Sequence, residues 1–114
     1  SLKSAILNFD KIKINKEKKY LLLGDMLELG KHSKKLHQTI GKIINNTKID
    51  KVFVKGNKVL FTYNSVSKKK RGRVLNKNSQ IIDLIKNDLN NNDYLMVKAS
   101  NATGFHKIIR EIKG

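Results

Sequence analysis

One acidic residue, Asp25, stands where a carboxylate can hold the hydroxyl groups of a ligand. It follows a run of four apolar residues, 20–23, that is too short for a helix and is stopped by Gly24. Such a run suits a strand that is buried on both faces of a sheet. In open α/β sheets, ligands bind beyond the carboxyl ends of the strands. We therefore interpret Asp25 as a candidate binding residue; the alternative is that its carboxylate caps the loop by accepting backbone N–H bonds.

A second polar group, formed by Lys98, Ser100 and Asn101, stands between an apolar run at 94–97 and a final helical pattern. The first N–H groups of a helix carry partial positive charge, Lys98 adds a full one, and the Ser100 hydroxyl can donate a hydrogen bond. Together these groups can bind an anion at the same sheet edge as Asp25. The alternative is that Ser100 or Asn101 only caps the helix and that Lys98 is solvated.

Other chemistries lack their motifs in this sequence. It contains neither a G-x-x-x-x-G-K-[ST] phosphate loop nor a G-x-G-x-x-G dinucleotide fingerprint. The three histidines lack the spacing of metal ligands, and Ser33 and Ser100 are better explained as helix caps than as nucleophiles. Asp25 and Glu28, three residues apart in a loop, are weak evidence for acid–base catalysis. We expect neither a catalytic residue nor a metal site.

The formal charge of +16 is high enough to suggest a nucleic-acid partner, because the release of counterions favours a basic surface. The composition favours another explanation: 22 of the 25 basic residues are lysine, accompanied by 13 Asn, 13 Ile and no Pro. A nucleic-acid surface more often uses Arg for bidentate contacts and aromatic residues for stacking. We interpret the charge as compositional drift and the basic run at residues 68–73 as a solvated loop. A stand-alone basic α/β module that binds nucleic acid is the alternative.

The length of 114 residues and the apolar content of 39% suit one compact domain. No apolar run approaches the roughly 18 residues that span a bilayer, and the amino terminus has no signal-peptide pattern. Without cysteine, the chain can form neither disulfides nor a thiolate metal site. We expect a cytoplasmic monomer that binds no membrane.

Helical and strand patterns alternate along the chain. Apolar spacing predicts helices around residues 2–10, 33–45, 59–64, 79–89 and 105–112, and strands at 20–23, 52–54, 74–75 and 94–97. Ser1, Ser33 and the pair Asn78 and Ser79 are the predicted helix caps. Strands separated by helices of this length indicate βαβ units with right-handed crossovers. The predicted fold class is α/β, a small Rossmann-like three-layer domain with a mainly parallel sheet.

Gly41 and His37 lie four residues apart and so share one face of the second predicted helix. A glycine there allows a close approach, which we predict to be between this helix and the sheet. We predict His37 to be a buried, hydrogen-bonded packing residue rather than a ligand.

Three segments resemble the carboxy-terminal domain of the Mur ligases. Residues 21–41, LLLGDMLELGKHSKKLHQTIG, resemble the start of that domain, and IDKVFVKG at 49–56 corresponds to its second strand and glycine. YLMVKASN at 94–101 is similar to the LVKGS segment before its last helix. The resemblance covers essentially all 114 residues, so we interpret the chain as a single Mur ligase domain from which the preceding ligase domains are absent.

The resemblance is greatest to the members that add D-alanyl-D-alanine to UDP-N-acetylmuramoyl-tripeptide in peptidoglycan synthesis, with ATP and magnesium. It implies that Asp25 contacts the ribose of ATP and that Lys98, Ser100 and Asn101 receive the carboxylate of the dipeptide. The phosphate loop belongs to the other domains, which implies that this chain alone holds no cofactor and is inactive. Two residues depart from the family pattern, since Ala99 replaces a usual glycine and Asn101 a common arginine.

Overall fold

The computed structural model describes residues 1–26 and 31–100, together with residues 104, 105, 107, 108 and 110. Helices and strands alternate in the order α1 (Leu2–Asp10), β1 (Lys19–Gly24), α2 (Ser33–Asn45), β2 (Lys51–Lys55), α3 (Leu60–Ser65), β3 (Arg71–Val74), α4 (Asn78–Asp83) and β4 (Tyr94–Lys98). A 3-10 turn, Lys68–Lys70, precedes β3, and a π-helical segment, Leu84–Asp88, continues α4. Residues 105, 107, 108 and 110 are helical, as predicted for the last helix, whose remaining residues lie outside the described part of the chain.

The four strands form one parallel sheet in the order β3-β2-β1-β4. Leu22 of β1 lies opposite Phe53 of β2 on one side and opposite Val97 of β4 on the other. Because these strands run in the same direction, their carboxyl ends meet at one edge of the sheet. The prediction of an α/β domain with a parallel sheet is confirmed.

The uninterrupted apolar run of β1 reflects burial on both faces of the sheet. Leu21 and Leu23 pack with apolar residues of α1 and α2, whereas Leu22 packs with residues of α4 and with Phe105. All three leucines are essentially inaccessible to solvent. Each buried leucine contributes roughly 1.5–3 kcal/mol, so the strand that carries Asp25 at its end is firmly held on both faces of the sheet.

Gly41 marks the closest approach of α2 to α3. A Cβ atom at this position would lie 2.6 Å from the Cβ atom of Ser65 and 2.7 Å from the carbonyl oxygen of Thr62. The predicted approach of this glycine to the sheet was therefore wrong. The neighbouring Ile40 and Ile44 carry the contact with the core of the sheet, and Gly41 is turned toward the adjacent helix.

The helix caps agree with the sequence only in part. The Oγ atom of Ser1 accepts the N–H group of Ser4 at 3.3 Å and caps α1, as predicted. Ser33 and Asn78 are the first residues of their helices and not the caps that precede them. At α4, the side-chain oxygen of Gln80 reaches back to the N–H groups of the two residues before the helix, at 2.6 and 2.8 Å. The side chain of Gln80, and not that of Asn78 or Ser79, therefore supplies this acceptor at the helix start.

Candidate functional site

The carboxyl ends of β1 and β4 lie side by side. Leu23 is in register with Lys98, and the N–H group of Ser100 donates a hydrogen bond of 3.1 Å to the backbone carbonyl of Asp25. The structure thus brings Asp25 and the turn after β4 to one sheet edge, as the sequence predicts. Asn101, the third residue of the predicted anion site, lies outside the described residues.

The carboxylate of Asp25 binds the loop between β2 and α3. Its Oδ1 atom accepts the N–H group of Val59 at 2.8 Å, and its Oδ2 atom accepts that of Asn57 at 3.3 Å. This is the loop-capping role that the sequence left open beside ligand binding. An ionised carboxylate offers about four lone-pair positions, so two backbone bonds leave acceptor capacity for a ligand hydroxyl.

Gly56 makes room for the Asp25 carboxylate. Its backbone φ is +139°, a value that residues with a side chain rarely adopt. A Cβ atom there would lie 2.5 Å from the Oδ1 atom of Asp25. From the sequence, Gly56 was identified only as the glycine that follows the second strand, and this role was not predicted. A signal was present, because Gly24 and Gly56 each close a buried strand. Since Gly24 is in register with Lys55, the residues that follow them, Asp25 and Gly56, come together.

Lys98 is exposed at the end of β4, and Ser100 is half-buried. Between them, the methyl group of Ala99 occupies space that Gly24 leaves open. A Cβ atom on Gly24 would lie 2.7 Å from the Cβ atom of Ala99 and 3.1 Å from the ring of Phe105. The alanine that departs from the family pattern is therefore accommodated by a glycine on the adjacent strand.

The basic run at residues 68–73 is not the solvated loop that the composition suggested. The Lys70 ammonium donates to two carbonyls of the connection between α2 and β2, at 2.7 and 2.9 Å, and the Arg71 guanidinium to three carbonyls at the end of α3. Arg73 forms an ion pair with Asp88. Burial, and next the charge of the preceding lysine, lowers the pKa of Lys70. The run forms a turn and β3, which begins at Arg71, earlier than the strand predicted at 74–75.

His37 is a buried packing residue, as predicted, with 2% of its surface exposed. Its Nδ1 atom lies 2.8 Å from the carbonyl oxygen of Ser33. Because a carbonyl only accepts, Nδ1 carries the proton, and Nε2 accepts the N–H group of Met26 at 3.4 Å. The hydroxyl of Thr62 donates to the carbonyl of His37 at 2.7 Å. Across the described ranges, no group of three or more His, Cys, Asp or Glu side chains could hold a metal ion.

Comparison with known proteins relates the chain to the Mur ligases. No family model matches the chain. The chain is 31% identical over 98 residues to the UDP-N-acetylmuramoyl-tripeptide–D-alanyl-D-alanine ligase of Bacillus subtilis (strain 168), a match over 83% of this chain and 21% of that enzyme. The chain belongs to the Mur ligase family. Its fold is similar to that of the Thermotoga maritima MurF ligase in complex with ADP, with a TM-score of 0.71 and 24% identity, over 98% of this chain and 24% of that one.

These matches confirm the recognition of a Mur ligase carboxy-terminal domain from the segments at 21–41, 49–56 and 94–101. The chain spans about a fifth of the length of the Mur ligases that it matches. Both are ligases, and they lend no support to the nucleic-acid alternative. Among the residues that the structure describes, no helix has the length and apolar character needed to cross a membrane.

Proposed function

We propose that residues 1–114 form the carboxy-terminal domain of an ATP-dependent ligase that joins D-alanyl-D-alanine to UDP-N-acetylmuramoyl-tripeptide in the cytoplasm. The observation that carries this proposal is the 31% identity over 98 residues to a Bacillus subtilis ligase of that name. The similar fold of a MurF ligase in complex with ADP supports it. The product is the pentapeptide precursor of peptidoglycan.

In the proposed reaction, phosphoryl transfer from ATP, with magnesium, converts the tripeptide carboxylate into an acyl phosphate and leaves ADP. The amine of the dipeptide then attacks the acyl carbon, and inorganic phosphate leaves as the peptide bond forms. This domain closes over the site and holds the nucleotide and the dipeptide in position; such positioning lowers the barrier without a catalytic side chain from this domain. The phosphate-binding groups and magnesium ligands belong to the preceding domains. The isolated chain is therefore inactive and holds no cofactor by itself.

Asp25 is the proposed contact to the ribose of ATP. Its bonds to the N–H groups of Asn57 and Val59 fix the carboxylate at the sheet edge, which reduces the entropy lost when a hydroxyl group binds to it. In this proposal the two roles of Asp25 act together: the backbone bonds orient the carboxylate, and the remaining lone pairs accept the ligand.

Lys98, Ser100 and Asn101 are the proposed contacts to the dipeptide carboxylate. Lys98 supplies a full positive charge at the exposed end of β4. The backbone bond from Ser100 to Asp25 joins the dipeptide contacts to the nucleotide contact. In this proposal a displacement at either contact is transmitted to the other through that bond.

Titration of the ¹⁵N-labelled chain with D-alanyl-D-alanine tests the dipeptide contacts by NMR. Because the other domains supply the rest of the site, we expect a dissociation constant on the order of millimolar or weaker. The amides of residues 98–103 should shift first, and Lys98→Met should weaken the response. Lys86→Met, at an exposed lysine of the π-helical segment, is the matched control. Shifts spread over residues 68–73 instead would show only nonspecific charge.

Kinetics of the full-length protein test the nucleotide contact. Phosphate release should require ATP, the tripeptide and the dipeptide together, and the isolated chain should release none. Asp25→Ala should raise the KM for ATP by roughly ten- to a hundredfold, as expected for the loss of charge-assisted hydrogen bonds. Asp83→Ala, at an exposed acid on α4, should leave it unchanged. An unchanged KM together with a lower melting temperature would restrict Asp25 to capping the loop.

A further inference from the structure

A cavity of about 570 Å³ opens at the other edge of the sheet, where α1 ends and β1 begins. Its volume falls within the roughly 300–1,000 Å³ typical of small-molecule sites. Four lysines and one aspartate contribute its charged lining: Lys11, Lys13, Lys19, Lys48 and Asp10. The lining is thus strongly positive, and it lies at the opposite end of β1 from Asp25.

Lys19 is the buried member of this lining, with 2% of its surface exposed. Its Nζ atom donates to the carbonyl oxygen of Asp10 at 2.6 Å, which uses one of the three N–H groups of an ammonium. Among the described residues, Arg73 and Asp88 form the only ion pair. No described carboxylate therefore neutralises Lys19 by direct contact. A buried charge is costly unless it is paired, and an anion in the cavity would provide that pairing.

The acidic groups near the cavity are engaged by the backbone. One carboxylate oxygen of Asp10 accepts the N–H group of Lys48 at 2.8 Å, and one of Asp50 accepts the N–H group of Lys19 at 2.8 Å. These bonds hold the end of α1, the start of β1 and the approach to β2 together. The backbone around the cavity is therefore held in place by tertiary hydrogen bonds, whereas the side chains of Lys11 and Lys13 are exposed to solvent.

We propose that this cavity binds a small anion of the diphosphate class, with the Lys19 ammonium at its base and Lys11, Lys13 and Lys48 at its rim. Several lysines facing one cavity favour a multiply charged ligand over a single carboxylate, and lysine binds phosphate as a point charge. The site needs no phosphate loop, because side-chain ammonium groups provide the recognition. It is separate from the proposed ligase contacts and does not depend on them.

Titration of the ¹⁵N-labelled chain with inorganic pyrophosphate at constant ionic strength tests the proposal. We expect saturable shifts of the amides of residues 10–15, 19 and 48. Lys19→Met should weaken binding by at least about tenfold, the loss expected for a charge-assisted hydrogen bond. Lys35→Met, at an exposed lysine in the first turn of α2, is the matched control and should change the dissociation constant by less than about twofold.

Lys13→Met keeps the test decisive if Lys19→Met does not fold, because Lys13 is exposed and its loss leaves the core intact. It should weaken binding more than Lys35→Met does. Equal effects of these two variants, or shifts that never saturate, would overturn the proposal in favour of nonspecific charge. A short single-stranded oligonucleotide forms the second arm: if it binds more tightly than pyrophosphate with the same dependence on Lys19, the diphosphate assignment is wrong and the cavity recognises a nucleic-acid backbone.

Discussion

Replacing Gly41 with alanine tests the close approach of α2 to α3. In an exposed helix interior this change stabilises by about 1 kcal/mol, because glycine has the lower helix propensity. Here the new Cβ atom would lie 2.6 Å from the Cβ atom of Ser65 and 2.7 Å from the carbonyl oxygen of Thr62. A helix carbonyl cannot rotate away from the new methyl group. The two helices must therefore move apart.

Separation of the helices would strain the hydrogen bonds between them. The Thr62 hydroxyl donates to the carbonyl of His37 at 2.7 Å, and the Asn45 side chain bonds the backbone of Ser65 and Ser67 at 2.9 and 2.7 Å. Each bond contributes about 1 kcal/mol, and overpacking itself costs about 1–3 kcal/mol. After the gain in helix propensity, we expect Gly41→Ala to lower the free energy of unfolding by about 1–3 kcal/mol.

Urea unfolding followed by circular dichroism measures this loss. Thr39→Ala, at an exposed position of the same helix, is the matched control and should be neutral or slightly stabilising. Adding Ser65→Gly to Gly41→Ala removes one of the clashing atoms and should recover part of the loss. If Gly41→Ala stabilises the chain as it would in an exposed helix, the inferred contact is wrong.

Three further changes test other contacts by measurement of the free energy of unfolding. Gly24→Ala should cost about 1–3 kcal/mol through overpacking, and Ala99→Gly in the same chain should restore part of it. Arg71→Met removes three hydrogen bonds to carbonyls and should cost about 1–3 kcal/mol. The control Lys68→Met, at an exposed lysine, should change the free energy of unfolding by no more than about 0.5 kcal/mol. Equal effects of the two changes would contradict the role of Arg71 in binding the carbonyls at the end of α3. Burial, and next the charge of nearby aspartates, raises the pKa of the Tyr20 phenol from its usual value near 10. Above pH 10 the folded chain therefore keeps a phenol proton that the unfolded chain loses. The stability that the neutral Tyr20 phenol contributes is fully present below pH 10 and is lost as the pH rises through the raised pKa. Between pH 9 and 11, Tyr20→Phe should thus lose less stability than the unchanged chain.

The strands were predictable because burial on both faces leaves a direct trace in the sequence. Residues 21–23 and 52–54 are uninterrupted apolar runs too short for helices, and each becomes a central strand. The run at 94–97 differs, since its strand lies at one end of the described sheet and its side chains are only partly buried. Its apolar character and the helical patterns around it were sufficient for the prediction.

The hydrogen-bond partners were less predictable, because they come from distant parts of the chain. Asp25 accepts N–H groups from a loop more than 30 residues away, and no local pattern distinguishes this role from ligand binding. Arg71 belongs to a run that looks like a solvated loop, yet its guanidinium binds carbonyls of the preceding helix. The composition shows the charge of such residues, but it does not predict which hydrogen-bond partners the fold brings close to them. The contacts of Gly41 were missed for the same reason.

The central position of β1 has a consequence for the order of folding. On one side, the N–H group of Lys19 donates a hydrogen bond to the carboxylate of Asp50, 31 residues later. On the other side, the N–H group of Lys18, just before β1, donates to the carboxylate of Asp93, 75 residues later. The entropy lost on closing a loop increases with its length, and pairings between distant segments form slowly. The sheet should therefore grow outward from β1 and β2, and β4 should dock last. In that order the carbonyl of Asp25 meets its donor, Ser100, only when the fold is otherwise assembled.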